Sequence, residues 1–394
     1  MPSKKKPSKN ASKLQKLARA LSPRSLKGGM LLFALIFALT GGGYFLFKTF
    51  AATERQVIYA DSIAVYGVDG DGYNRKTLFL TNNVMRAVWS HNAASIALTK
   101  TSAQLAAVAQ IIQTVSSSGT NVKTLVKDNT FVGIGNVVWL PGDGSLLFSA
   151  SKGFNSSNAG YDLYTIKTDG TNLKKLTDHT RLGSVHADYF QVSLDGTKIL
   201  FETNYPYLPS SSNRVYLVNI DGSNLKFIKP GTGTYCGLGN AVNAGSYNPI
   251  QIHPWAPDSR HYALFCHNNT GGFINIYSNS TTTIAPVKVT VPEGAVDEVS
   301  WSPSPNTLAY GGSTTKLGGF IATIYADGSN HKSVISASNW PSPEIDWSPL
   351  GDKIMYTLSK PPIFPLDVFF TITPSGTNNL MLINTSTGYA SWRP

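Results

Sequence analysis

Trp347-Ser348-Pro349-Leu350-Gly351, followed by the short apolar run Lys353-Ile354-Met355-Tyr356, reads as the end of one strand, a tight turn and a second strand. The unit recurs along the chain. Its other copies are Trp89-Ser90-His91-Asn92, Trp139-Leu140-Pro141-Gly142, Val192-Ser193-Leu194-Asp195-Gly196, Trp255-Ala256-Pro257-Asp258, Trp301-Ser302-Pro303 and Trp392-Arg393-Pro394, with Val192 standing where the others have Trp. A second pattern alternates with it, an apolar strand ending in a Gly-containing turn. It is seen at Asp71-Gly72-Tyr73-Asn74, Ser118-Gly119-Thr120-Asn121, Asp169-Gly170-Thr171-Asn172, Asp221-Gly222-Ser223-Asn224, Asp327-Gly328-Ser329-Asn330 and Ser375-Gly376-Thr377-Asn378, with Ser278-Asn279-Ser280 as a degenerate copy. Gly and Asn are what hairpin turns at positive φ select.

Each unit is therefore four short antiparallel strands, and such units repeated in series predict an all-β propeller. Complete units begin near residues 84, 134, 187, 250, 296 and 342; three strands within residues 55–80 and one within 388–393 remain, and pairing these leftovers closes the ring over 55–394. Seven blades give about 49 residues each, nearer the usual spacing than the alternative of six. The Trp-Ser-Pro turn and the Asp-Gly turn together resemble the TolB-type propeller repeat, a resemblance that covers almost everything after residue 54. It implies a scaffold or binding role outside the cytoplasm, and within that group of propellers also peptidase-gating domains and an occasional lyase.

The formal charge of +11 does not point to nucleic acid, because ten of the 33 basic residues precede Glu54, the first acidic one. The remainder is close to neutral, with 23 basic against 22 acidic side chains. Those N-terminal cations flank an uncharged stretch, Gly28–Phe47, of the length a helix needs to cross a bilayer. Residues 1–27 are thus expected as a basic cytoplasmic tail and 28–50 as a membrane anchor, in contact with lipid through 28–47. Type II topology then exports the propeller across the cell membrane. A cleaved signal peptide is the competing reading. The only cysteines, Cys236 and Cys266, fall in the exported part, where they form a disulfide or remain two buried thiols.

One Trp per blade at the same place is expected for packing between blades. No cofactor and no metal are expected: Asp69-Gly70-Asp71-Gly72 lacks the later ligands of a calcium loop, and His261 and His267 stand about 20 Å apart along one strand, too far for a shared zinc. No nucleophile elbow or phosphate-binding loop occurs. Both short turns of a blade fall on one rim, so the longer connections 99–106, 151–160, 204–213, 229–248, 311–319 and 359–367 gather on the other. There Phe154, Tyr205, Tyr207, Tyr235, Tyr247 and Phe364 supply aromatic anchors, with Arg86 and Asn136 near the innermost strands. The expected function is capture of a protein or polysaccharide on this loop-rich face. The alternative is a glycan lyase or hydrolase in the central funnel using Glu298, Glu344, Asp188 and His186 as acid and base, beside Asp297.

Overall fold

The computed structural model describes residues 56–394 except 62, 102–108, 128–129, 154–159, 205–213, 240–252, 280–284, 305, 339, 359–366 and 386–388. For 109, 186–188, 204, 358, 367 and 384–385 it describes the backbone alone. The expected tail and anchor, 1–50, lie outside the described residues, among which no helix is long and apolar enough to cross a membrane.

Strands β1 (Gln56–Ala60), β2 (Ala64–Asp69) and β3 (Lys76–Leu80) supply three quarters of the first blade. The second holds β4 (Val84–Trp89), β5 (Ser95–Thr101), β6 (Ala109–Ser116) and β7 (Lys123–Val126); the third β8 (Gly133–Trp139), β9 (Ser145–Ser151), β10 (Asp162–Lys167) and β11 (Lys174–Lys175). After a one-turn helix, α1 (His179–Leu182), the fourth follows with β12 (Ser184–Val192), β13 (Lys198–Asn204), β14 (Arg214–Asn219) and β15 (Lys226–Phe227). The fifth comprises β16 (Tyr235–Gly237), β17 (His261–Asn268), β18 (Gly271–Ser278) and β19 (Val287–Thr290). β20 (Glu298–Trp301), β21 (Thr307–Thr314), β22 (Gly318–Tyr325) and β23 (Lys332–Ala337) make the sixth. The seventh has β24 (Glu344–Trp347), β25 (Ile354–Leu358), β26 (Asp367–Ile372) and β27 (Leu380–Thr385), and β28 (Ala390–Trp392) returns to complete the first. The fold is a seven-bladed propeller of four-stranded antiparallel blades.

Closure rests on three registered pairs, Val57 with Trp392, Ile58 with Ser391 and Tyr59 with Ala390. Lys353 Nζ and Thr371 Oγ1 both donate to the Gly70 carbonyl at 2.8 Å, tying the seventh blade to the turn of the first. The outer turns repeat one backbone solution six times. Glycines 72, 119, 170, 222, 328 and 376 hold φ between +81° and +86°, and the asparagine two residues on holds +51° to +57°. That shared geometry fixes where each of these outermost strands begins.

Three expectations are corrected. The connection 311–319 is mostly strand: Gly311 pairs with Ile321 and Thr314 with Gly318, leaving a tight turn. A side chain at Gly318 would bring Cβ within 2.1 Å of the Ala337 carbonyl, so glycine there lets the hairpin lie against the outer strand. The stretch 229–248 contains β16, whose Cys236 pairs with Cys266. In consequence the fifth blade begins near 235 rather than 250, and its innermost strand is split, since Trp255 bridges Tyr262 farther along β17. Between the two halves lie 240–252, outside the described residues.

The cysteines are joined as a disulfide across β16 and β17, 30 residues apart in sequence. In the chain-entropy model such a loop contributes about 3–4 kcal/mol. Cys236→Ala with Cys266→Ala should lower the urea midpoint accordingly, and reductant should lower the native protein's midpoint but not the variant's; equal midpoints throughout would show that the bond adds nothing.

Candidate functional site

All seven innermost strands line the propeller axis, so residues at matching places in the repeat meet there despite their separation in sequence. Trp89, Trp139, Trp255, Trp301, Trp347 and Trp392 are each only 4–7% exposed. The indole Nε1 of Trp139 donates to the Val88 carbonyl (3.0 Å), that of Trp255 to Gln191 (3.3 Å) and that of Trp347 to Ser300 (3.2 Å), every acceptor belonging to the preceding blade. These indoles fasten blade to blade, as the repeat predicts, and they also surround a cavity of about 360 Å³ on the short-turn rim. Two cross-blade ties stiffen that rim. Asp143 accepts from the backbone N–H groups of His91 and Asn92 at 2.9 and 3.0 Å, and Asp195 donates its N–H to Ser259 Oγ at 3.0 Å.

At the wall of this cavity stand His253 and Asp346, joined Nδ1 to Oδ1 at 2.5 Å. His253 lies two residues before Trp255 and Asp346 one before Trp347, so each is placed by the strand that carries its Trp. Burial alone would lower the His253 pKa, but the charge and hydrogen bond of Asp346 outweigh it and the net shift is upward. Burial raises Asp346 in turn, with His253 offsetting part of the rise.

Farther along the axis, three residues before Trp301, Glu298 is 2% exposed and accepts a hydrogen bond from the Ile345 N–H at 3.2 Å. Burial pushes its pKa up to about 8; the Ile345 N–H works against that, and the negative charges of Asp346 and Asp297 reinforce it. Asp297 faces His267 across 3.6 Å near the loop-rich rim. Three acidic residues and two histidines from three consecutive blades are thereby strung along one side of the channel.

The other sequence-derived residues distribute as follows. Glu344 is half-buried at the start of β24. Arg86 and Asn136 are buried, at 4% and 2% exposure: the Arg86 guanidinium lies 4.8 Å from the Tyr389 ring centre, and Asn136 Oδ1 accepts from the Val137 N–H. Tyr235 packs edge-on to Phe265 with its hydroxyl 3.5 Å from Glu202 Oε1. Phe154, Tyr205, Tyr207, Tyr247 and Phe364, and the side chains of His186 and Asp188, lie outside the described residues. The sequence carries a signal for His253: it stands two residues before its Trp, where the other copies of the repeat have Ala87, Val137, Phe190, Val299, Ile345 and Ala390, whereas the position of Asp346, one before the Trp, is polar in several copies. Among the described residues no group of three or more His, Cys, Asp or Glu side chains is arranged to hold a metal ion.

No protein-family model matches this sequence, and no curated protein does. Solved structures with the same fold include an oligogalacturonate lyase in complex with manganese, 12% identical, with a TM-score of 0.57 over 79% of this chain and 82% of that one. The tricorn protease aligns at 6% identity and a TM-score of 0.56, covering 86% of this chain and 34% of that one. TolB from Acinetobacter baumannii is 13% identical, with a TM-score of 0.50 over 86% and 82% of the two chains. Identities this low establish a shared propeller, and chemistry must be argued from this chain's own residues.

Proposed function

We propose that this chain is a membrane-anchored, extracytoplasmic propeller that captures a protein or polysaccharide partner on its loop-rich rim, with residues 28–47 in the bilayer and the N-terminus inside. The observation that carries the reading is the inequality of the two rims. On one, the turns are short, repeated in geometry and tied between blades. On the other, the connections 102–108, 152–161, 205–213 and 359–366 differ from blade to blade in length and composition. A rigid scaffold presenting irregular loops on a single face is the usual layout of a recognition surface. The disulfide supports an oxidising compartment and hence export.

The lyase or hydrolase alternative draws less support. A catalytic acid must reach its substrate, whereas Glu298 is 2% exposed and one of its oxygens already holds the Ile345 N–H.

The test is exchange of Tyr205-Pro206-Tyr207 and of residues 240–252 for Gly/Ser linkers of equal length. Retention of partner from an extracytoplasmic extract, and of a glycan panel, should fall to background with the thermal midpoint unchanged. Full retention by either exchange protein at an intact midpoint would remove the loop-rich rim as the binding surface.

A further inference from the structure

The cavity on the short-turn rim takes no part in the reading above, which uses the opposite rim. Its volume of about 360 Å³ lies within the span of small-molecule pockets, about 300–1,000 Å³. The wall is mainly indole and proline, as at Trp89, Trp301, Trp392, Pro141 and Pro349, with no Lys or Arg among the lining residues. Such a surface holds an apolar body. Two imidazoles interrupt it, His91 and His253. Each has Nδ1 bound to a carboxylate, His91 to Asp143 at 2.8 Å and His253 to Asp346 at 2.5 Å.

A carboxylate on Nδ1 fixes the orientation of the ring and leaves Nε2 as its remaining hydrogen-bonding atom. Among the described residues Nε2 of His253 has no partner. In the wall Asp346 Oδ1 holds His253, Ser193 Oγ accepts from the Lys198 N–H, and Ser302 Oγ accepts from the Ser304 N–H. With Nδ1 held by Asp346, Nε2 is the ring atom an entering group meets, and in the protonated ring it donates to an oxygen acceptor already aligned by that contact.

We propose that this cavity is a ligand site for a small apolar molecule bearing one oxygen acceptor, a carboxylate or carbonyl, which His253 Nε2 holds while the apolar body lies against the indoles. The upward shift of the His253 pKa keeps a proton on Nε2 nearer neutrality and so supports the donor role. Val192 gives the site its room, because it is the one position in the ring of seven without an indole and it lines the cavity directly.

The experiment titrates the full-length chain in lipid nanodiscs with 3-phenylpropanoate and, separately, with 3-phenylpropylammonium, reading the heat of binding against empty nanodiscs. Saturable heat is expected for the carboxylate alone. His253→Ala should weaken it at least about tenfold, the scale of one lost charge-assisted hydrogen bond. Val192→Trp, which restores the residue the other blades carry, should abolish it while the thermal midpoint stays at or above the native value. Equal or stronger binding of the ammonium probe, binding of neither, or binding unaffected by both substitutions would overturn the proposal.

Discussion

Removal of residues 389–394 should leave a chain that no longer unfolds as one cooperative unit. The deletion strips β28 from the first blade, so Val57, Ile58 and Tyr59 lose their registered partners and the Arg393 N–H no longer reaches the Gln56 carbonyl at 2.7 Å. Tyr389, Ala390 and Trp392 are 2%, 0% and 5% exposed, and truncating a buried Trp alone costs about 3–5 kcal/mol. With a buried Tyr and a strand added, the loss reaches the size of the whole net stability of a domain, about 5–15 kcal/mol. The uncovered edge of β1, buried along its length in the closed ring, then becomes a template for pairing with other chains. Circular dichroism should show a broad, low-temperature transition, and gel filtration should show self-association. A monomer with the native midpoint would mean that the blades stand without closure. Trp392→Ala, retaining the strand, should fold with a midpoint lowered by the smaller amount.

What could be read from sequence was whatever local chemistry repeats. A Gly at φ near +83° followed two residues later by an Asn at φ near +54° leaves the same letters in six blades, and the Trp before the turn leaves another set. The start of the fifth blade is hidden in the sequence for the corresponding reason. Its outer turn lacks the Gly, and its innermost strand is interrupted, so β16 carries no mark of the repeat beyond the cysteine that pairs across to β17. The Gly-rich composition around the hairpin at 314–318 fits both a long loop and a close approach of backbones, and only the proximity of the Ala337 carbonyl to Gly318 decides between them.

The site was less legible still. His253 and Asp346 are 93 residues apart and meet only because the ring places every innermost strand on one axis. Glu298 could be nominated for the channel from its place at the start of an inner strand, but its burial depends on the neighbouring blades. The indoles carry two roles with one set of residues, fastening blades and enclosing a cavity, and a period in sequence announces the first without the second.

Glu298 makes stability depend on pH in a direction opposite to that of an ordinary salt-bridged carboxylate. Its folded pKa of about 8 stands above the ordinary 4.5, so between those values the native chain retains a proton that the unfolded chain has released. Stability therefore falls as pH rises through that window, by at most about 1.4 kcal/mol per unit, and the loss is complete once Glu298 ionises in the folded state. Glu298→Gln keeps an oxygen to accept the Ile345 N–H and cannot ionise. The substitution should therefore change little at pH 5 and should raise stability by a few kcal/mol at pH 9, with a flatter profile between, measured by urea unfolding across the range. His253 and Asp346 also titrate, and because the Asp346 charge acts on Glu298, the difference between the two profiles reports Glu298 together with its effect on that neighbour. Profiles that run parallel from pH 5 to 9 would show that Glu298 is already ionised in the folded chain, and would place a third negative charge beside Asp346 and Asp297 rather than a neutral acid.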